Sequence, residues 1–260
     1  MVSRRVAAHG EGAVKLRVLD LFSGIGGFSL GLERTSGFET VAFCETDPFC
    51  RCVLEKHWPH VKRYEDVRTL TADILARDGI GVDVICGGFP CQDISAAGRR
   101  QGLGGARSGL WSEYARIVGE VRPSVVIVEN SAELLGRGID AICGDLASLG
   151  FDAVWDCIPA AVLCAPHGRD RIWITAYTSE IAGLHEPDIG DQLRRRLSDN
   201  GYSWPACPWR SPETSVCRVD DGIPDRVDRT GSLGNAVVPQ IPEMIGRAIL
   251  ESLSAQQEAA

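Results

Sequence analysis

Cys91 sits in Gly87-Gly88-Phe89-Pro90-Cys91-Gln92-Asp93, directly after the apolar run Val82-Asp83-Val84-Ile85-Cys86. A buried strand bounded by glycine that delivers a thiol into a loop places a nucleophile at a sheet edge. The alternative is a buried structural cysteine, the commoner role of the residue type. Glu129-Asn130 ends a second apolar run, Val125 to Val128, and offers a carboxyl group as an acid. Asn130 and Ser131 are equally the residue types of a helix N-cap. In a parallel sheet, groups that follow two strands by one or a few residues emerge on one rim. Arg169 and Arg171, two apart, share one face if the chain there is extended. The stretch Gly87 to Gly109 holds seven glycines, and Arg99, Arg100 and Arg107 against Asp93 give it a local balance of +2 (three minus one). Loops beyond about 15 residues in a compact domain are functional lids or disordered. A cationic lid beside a thiol is the expectation.

A second group suits a nucleoside. Asp20-Leu21-Phe22-Ser23-Gly24-Ile25-Gly26-Gly27-Phe28 carries glycines where a strand turns into a helix, which lets backbone approach a ligand. Glu45 follows 21 positions after Gly24, at the end of the next strand, where an acid can hold ribose hydroxyls. The third glycine of the dinucleotide fingerprint is replaced by Ser29, which favours a nucleoside over a pyrophosphate and disfavours a nicotinamide-dependent oxidoreductase. A plain structural connection stays open for this turn. Gly234-Asn235-Ala236-Val237-Val238-Pro239 reads by itself only as a turn.

The elements that position these residues alternate along the chain. Apolar runs predict strands at Leu16 to Phe22, Thr40 to Cys44, Val82 to Cys86, Val125 to Val128, Ala153 to Ile158 and Ile172 to Tyr177. Helical periodicity covers Phe28 to Thr35, Asp47 to His57, Leu110 to Glu120, Ile139 to Leu149 (closed by Gly150) and Ile241 to Leu253. Such alternation predicts a doubly wound α/β sheet with helices on both faces. Periodicity fails between Ser179 and Arg229, where five prolines, Trp204, Trp209 and scattered charges form an irregular lobe.

At 260 residues the chain suffices for one full core with a small appendage. Its ten cysteines form no C-x-x-C pair and no zinc spacing, so free thiols in a reducing cytoplasm and no metal are expected. Met1 to Lys15 lacks the apolar region of a secretory signal and reads as a loose tail. Nothing approaches the roughly 18 apolar residues of a membrane span. The net charge of −8 opposes non-specific nucleic-acid affinity unless cations are locally concentrated.

Together these segments, from Leu16 to about Leu250 and in family order, resemble the DNA cytosine-5 methyltransferase family. Asp20 to Gly27 matches Asp-x-Phe-x-Gly-x-Gly-Gly; Pro90-Cys91-Gln92 matches the nucleophile motif, Glu129-Asn130 the acid motif and Arg169/Arg171 the arginine pair. Glu45 and Asp66-Val67 match further cofactor stations, and Gly234-Asn235 with Val237 and Pro239 the last motif, which in the family folds back beside the first. His167 stands for the usual glutamine, Ser131 for a common valine, and Phe89 for a frequent proline.

The resemblance implies a Rossmann-like S-adenosylmethionine-dependent methyltransferase sheet, residues 14–178 completed by 231–255, with 179–230 as a small target-recognition lobe. It implies Cys91, Glu129, Arg169 and Arg171 as catalytic residues. It implies S-adenosyl-L-methionine, leaving as S-adenosyl-L-homocysteine, held by Phe22, Ser23, Gly24, Ile25, Gly26, Gly27, Glu45, Thr46, Asp66, Val67, Pro90, Leu110, Asn235 and Val237. Gln92, Ser95, Arg99, Arg100 and Asn130 would meet double-stranded DNA. The implied protein is a monomer, with a cognate restriction endonuclease as a partner that forms no stable complex. Chemistry alone does not separate DNA from RNA, so an RNA cytosine-5 methyltransferase of the same fold is the alternative, and a non-catalytic nucleic-acid-binding homologue the second.

Overall fold

The computed structural model describes residues 14–90, 109–159, 170–178 and 236–259, with side chains to residue 254. In chain order the elements are β1 (Leu16–Leu21), α1 (Gly27–Glu33), β2 (Phe38–Cys44), α2 (Pro48–His57), β3 (Lys62–Tyr64), α3 (Ala72–Arg77), β4 (Val84–Gly88), α4 (Leu110–Val121), β5 (Val125–Ser131), a 3-10 turn (Ala132–Gly136), α5 (Ile139–Ser148), β6 (Phe151–Pro159), β7 (Asp170–Thr178) and α6 (Gln240–Ala259). The strands form one sheet in the order β3-β2-β1-β4-β5-β7-β6. All run parallel except β7, which is antiparallel to both β5 and β6.

The expected α/β sheet is therefore present, with one strand reversed. Apolar runs with few polar interruptions signal strands covered on both faces. Along β1, Leu19 and Leu21 join Ile85, Val126 and Val128 on one face, beneath Leu75 of α3, Ile117 of α4 and Ile142 of α5. Val18 joins Val84, Cys86 and Ile127 on the other face, beneath Phe28 of α1 and Met244, Ile245 and Ala248 of α6. Each fully buried Leu or Ile contributes about 1.5–3 kcal/mol, so neither layer is dispensable.

Three features depart from the sequence expectation. The strand expected at Val82 to Cys86 runs Val84–Gly88 instead. Asp83 is occupied at its start by Arg17, and Gly88 is held in register with Glu129. β5 continues to Ser131 because β7 pairs with it through Ser131 and Arg171. The three residues of β3 and six of α3 carried no periodic signal; α3 is started by Thr71, whose hydroxyl accepts from the Ile74 amide.

The last described segment returns to the first. A Cβ on Gly27 would collide with the Val237 carbonyl, and one on Gly31 with that of Pro239. Two glycines four apart on α1 thus seat the chain that leads into α6. Residues 179–230, the expected recognition lobe, lie outside the described residues. Among the described residues no helix is long and apolar enough to cross a membrane, no cluster fits a metal ion, and the six cysteines are free.

Candidate active site

Strand order reverses between β1 and β4, whose neighbours lead away in opposite directions. The crevice outside the carboxyl ends of strands at such a reversal is where open α/β sheets bind ligands. Two turns flank it, the glycine turn after β1 and Phe89-Pro90 after β4.

The glycine turn is held from below and from the side. Ser23 Oγ donates to the Asp20 carbonyl at 2.6 Å and accepts from the Cys44 amide at 3.3 Å, tying the turn to β2. Phe22 has φ 53°, a left-handed conformation that costs a bulky residue on the order of 1–2 kcal/mol. Gly24 follows with φ +53° and only open space where a Cβ would point, so the turn presents bare backbone to the crevice. Its amide donates to Glu45 Oε2 at 2.7 Å, while the Asp47 amide donates to Oε1 at 2.8 Å. Glu45 thereby links the turn to the start of α2, where Asp47 caps the Cys50 amide. Ile25 is half-buried, Gly26 and Gly27 are buried, and Thr46 is exposed.

Asp20, beneath the turn, is fully buried, and Ser29 Oγ of α1 donates to its Oδ2 at 2.7 Å. Burial pushes its carboxyl up to about 8, so its neutral form prevails at neutral pH. The Asp66-Val67 station is fixed by α4: Arg116 donates to the Val67 and Leu70 carbonyls at 2.9 and 3.0 Å and is braced by Glu113 and Glu120, both at 2.7 Å. Asp66 Oδ1 accepts from the Arg68 amide at 2.9 Å. Val67 is buried, whereas Leu110 and Val237 are half-buried.

Glu129 lies in β5 opposite Gly88 of β4 on one side and Trp173 of β7 on the other. Arg171, two residues before Trp173, shares its face, and Arg171 Nε stands 2.8 Å from Glu129 Oε1. The antiparallel strand brings its start, not its end, to the rim, which is how an arginine that begins β7 meets an acid that ends β5. A Cβ on Gly88 would lie 2.5 Å from Glu129 Oε2, so glycine is what admits the carboxylate there. Pro90, exposed, closes the described part of this rim.

Asn130, expected at the DNA surface, is instead buried: its Nδ2 donates to the Phe89 carbonyl at 2.9 Å and its Oδ1 accepts from the Ser131 amide at 2.8 Å. A ladder of rings, Phe22, Tyr114, Trp111 and Phe89, with centroids 6.3, 5.5 and 5.4 Å apart, joins the two turns. Sequence inspection missed Trp111 and Arg116; the acids three before and four after Arg116 were the available signal for the latter. Cys91, Gln92, Ser95, Arg99, Arg100, Arg169 and Asn235 lie outside the described residues.

Residues 16–197 match the family model for C-5 cytosine-specific DNA methylase. The chain belongs to this family. Among its relatives is the Type II methyltransferase M2.BsuMI of Bacillus subtilis, 34% identical over 169 residues, which are 62% of this chain and 42% of the relative. M.CviJI, a Type II methyltransferase of Paramecium bursaria Chlorella virus IL3A, is 31% identical over 227 residues, 87% of this chain and 57% of its own length. The chain spans about half the length of the curated family members it matches. A putative DNA modification methyltransferase encoded within an E. coli prophage superposes with a TM-score of 0.56 at 26% identity, over 67% of this chain and 50% of that one. DNMT2 of Spodoptera frugiperda, 18% identical, shares the family fold over 66% of this chain and 53% of its own, with a TM-score of 0.55.

Proposed function

We propose that this chain transfers a methyl group to C5 of cytosine in double-stranded DNA. The observation that carries the proposal is the Glu129–Arg171 pair, 2.8 Å apart across β5 and β7, with β5 beside the strand that runs through Gly88 toward Pro90-Cys91 in sequence. An acid paired with a cation, next to a strand whose sequence leads on to a thiol, suits a pyrimidine with a ring nitrogen, a carbonyl oxygen and an electrophilic carbon.

The crevice suits S-adenosyl-L-methionine. Gly24 opens bare backbone to it, and each Glu45 oxygen, with one amide already bound, retains a lone pair for a ribose hydroxyl. Phe22 to Gly27, Glu45, Thr46, Asp66, Val67, Pro90, Leu110, Asn235 and Val237 would hold it; it supplies the methyl group as an electrophilic carbon on sulfur.

The protein makes C5 nucleophilic. Cys91, as thiolate, attacks C6, and the ring electrons move to C5, which takes the methyl group; covalent catalysis divides one hard step into easier ones. A free thiol titrates near 8.5, so cations such as Arg171 and the arginines of the 91–108 stretch favour its ionised form. Glu129 holds a proton at N3 and offsets charge developing in the ring, and Arg171, with Arg169 two residues before it in sequence, donates to O2. Loss of the C5 proton to water and expulsion of Cys91 then restore aromaticity. The base must leave the helix to expose both faces, a cost of a few kcal/mol met by pocket contacts. Gln92, Ser95, Arg99 and Arg100 would grip the DNA, and residues 179–230 would read the target. The unit acts as a monomer in the cytoplasm, with any cognate restriction endonuclease acting separately.

Tritiated methyl transfer into duplex DNA and into tRNA tests the substrate. Label in DNA is expected; label in RNA alone would overturn the substrate assignment. A thermal shift with S-adenosyl-L-homocysteine and none with NAD is the matching cofactor result.

A further inference from the structure

We infer that Asn130 and Trp111 are positioning residues for Cys91, gripping Phe89 by its carbonyl and its ring respectively. The inference rests on Cys91 being the nucleophile.

Phe89 is 3% exposed, yet it lies two residues from a cysteine that must meet an extruded base. Its carbonyl accepts from Asn130 Nδ2 at 2.9 Å, a buried bond. Its ring lies against Trp111, centroids 5.4 Å apart and planes tilted 44°. Trp111 is itself fixed: its Nε1 donates to Asp145 Oδ2 of α5 at 3.0 Å, and its ring stacks on Tyr114. Tyr114 in turn donates to the Ile127 carbonyl at 3.2 Å in the central strand β5. Phe89 is therefore held directly by β5 and α4, and by α5 through Trp111.

Pro90 transmits that grip to its neighbour. Proline fixes its own φ near −65° and restricts the residue before it to extended conformations. Between the held Phe89 carbonyl and the Cys91 side chain, Pro90 ψ, Cys91 φ and the cysteine rotamer are the soft torsions left. The same strand sets the acid, because Glu129 and Asn130 are consecutive and point to opposite faces of β5. One faces Gly88 and the other holds Phe89, so β5 fixes acid and nucleophile in a single register. Attack on C6 tolerates little misplacement, since an error of about 1 Å can cost on the order of 100-fold in rate.

The test is the rate at which the full-length protein, with S-adenosyl-L-methionine, is captured by duplex DNA carrying 5-fluorocytosine at its target, where fluorine cannot leave as a proton does. Relative to wild type, N130A and W111A should slow capture by roughly 10- to 100-fold while S-adenosyl-L-homocysteine and DNA affinities stay within about twofold. N130D keeps the acceptor for the Ser131 amide but has no donor for Phe89, and should resemble N130A. W111F, which keeps a ring against Phe89, should recover most of the rate lost in W111A. Capture at the wild-type rate in both alanine variants would overturn the proposal. A parallel loss of cofactor binding in N130A, N130D and W111A would also overturn it, by assigning both residues to general folding. Failure of the wild-type protein itself to be captured would instead sink the assignment of Cys91 as nucleophile.

Discussion

At the amino-terminal rim of the sheet, Asp83 receives the Arg17 amide and two guanidinium nitrogens at 2.8–2.9 Å, and its carbonyl takes the Ser124 amide at 2.8 Å. Thr178 donates on to the Ser124 carbonyl, and Arg122 reaches the Leu149 carbonyl, so polar groups here are consumed in tying strand starts together. At the carboxyl rim the chain does the reverse. Phe22 is strained, Gly88 gives up a side chain to admit a carboxylate, Asp20 is buried with a hydroxyl partner, and an acid and an arginine are paired beside a crevice. The same backbone hydrogen bonding supports both ends. The lesson is that one rim spends its polar groups on the fold and the other keeps them where a ligand can use them.

Five substitutions sharpen or break that contrast. Glu129→Gln keeps the shape and an acceptor for Arg171 but has no proton to give at N3; kcat should fall by about 10²- to 10⁴-fold with the melting temperature nearly unchanged. Wild-type turnover in that variant would remove the carboxyl rim's claim to chemistry.

Asp20 gives a pH signature. Folding raises its pKa to about 8, so the folded chain binds this proton more tightly than the unfolded one. Its effect on stability is absent below about pH 4 and grows more unfavourable as pH rises to about 8, by on the order of 5 kcal/mol. The urea midpoint should fall between pH 5 and pH 8, and Asp20→Asn should flatten that fall; a slope unchanged in the variant would refute a buried, neutral Asp20.

Arg17→Ala, at the opposite rim, should cost about 1–2 kcal/mol of stability by urea denaturation and leave kcat within twofold. A loss of kcat out of proportion to stability would show the rims to be coupled.

The smallest effect comes from a matched pair. Gly24 and Gly79 both have positive φ, +53° and +74°, with open space where a Cβ would go. Alanine at either should cost on the order of 1 kcal/mol in strain. Gly24→Ala should also raise the S-adenosyl-L-methionine KM severalfold, and Gly79→Ala should not. Equal KM values would mean that the glycine turn does not meet the cofactor.

Much of the fold was legible because the central strands are covered on both faces and so read as apolar runs, β1 and β5 most plainly. The direction of β7 was not, since an apolar pattern is the same read either way. For that reason the meeting of Arg171 with Glu129 needed the β5–β7 register, even though both residue types were already suspect. Lys62-Arg63-Tyr64 of β3 has no alternation to detect, and its pairing to β2 alone makes it a strand. Asn130 illustrates the other limit. Its type suits a cap, a DNA contact or a tether equally well, and only the position of the Phe89 carbonyl decides among them. Gly88 read as one glycine of the stretch Gly87 to Gly109 until the carboxylate opposite it gave the absence of a side chain a purpose.

The central claim is that a thiol one residue beyond the described carboxyl rim attacks the base. Mass spectrometry of the protein captured on 5-fluorocytosine duplex DNA, followed by peptide mapping, tests it most directly. One cross-link is expected, on Cys91, lost in Cys91→Ser while S-adenosyl-L-homocysteine still binds. A cross-link on another cysteine, or methylation of cytosine by Cys91→Ser at the wild-type rate, would contradict it.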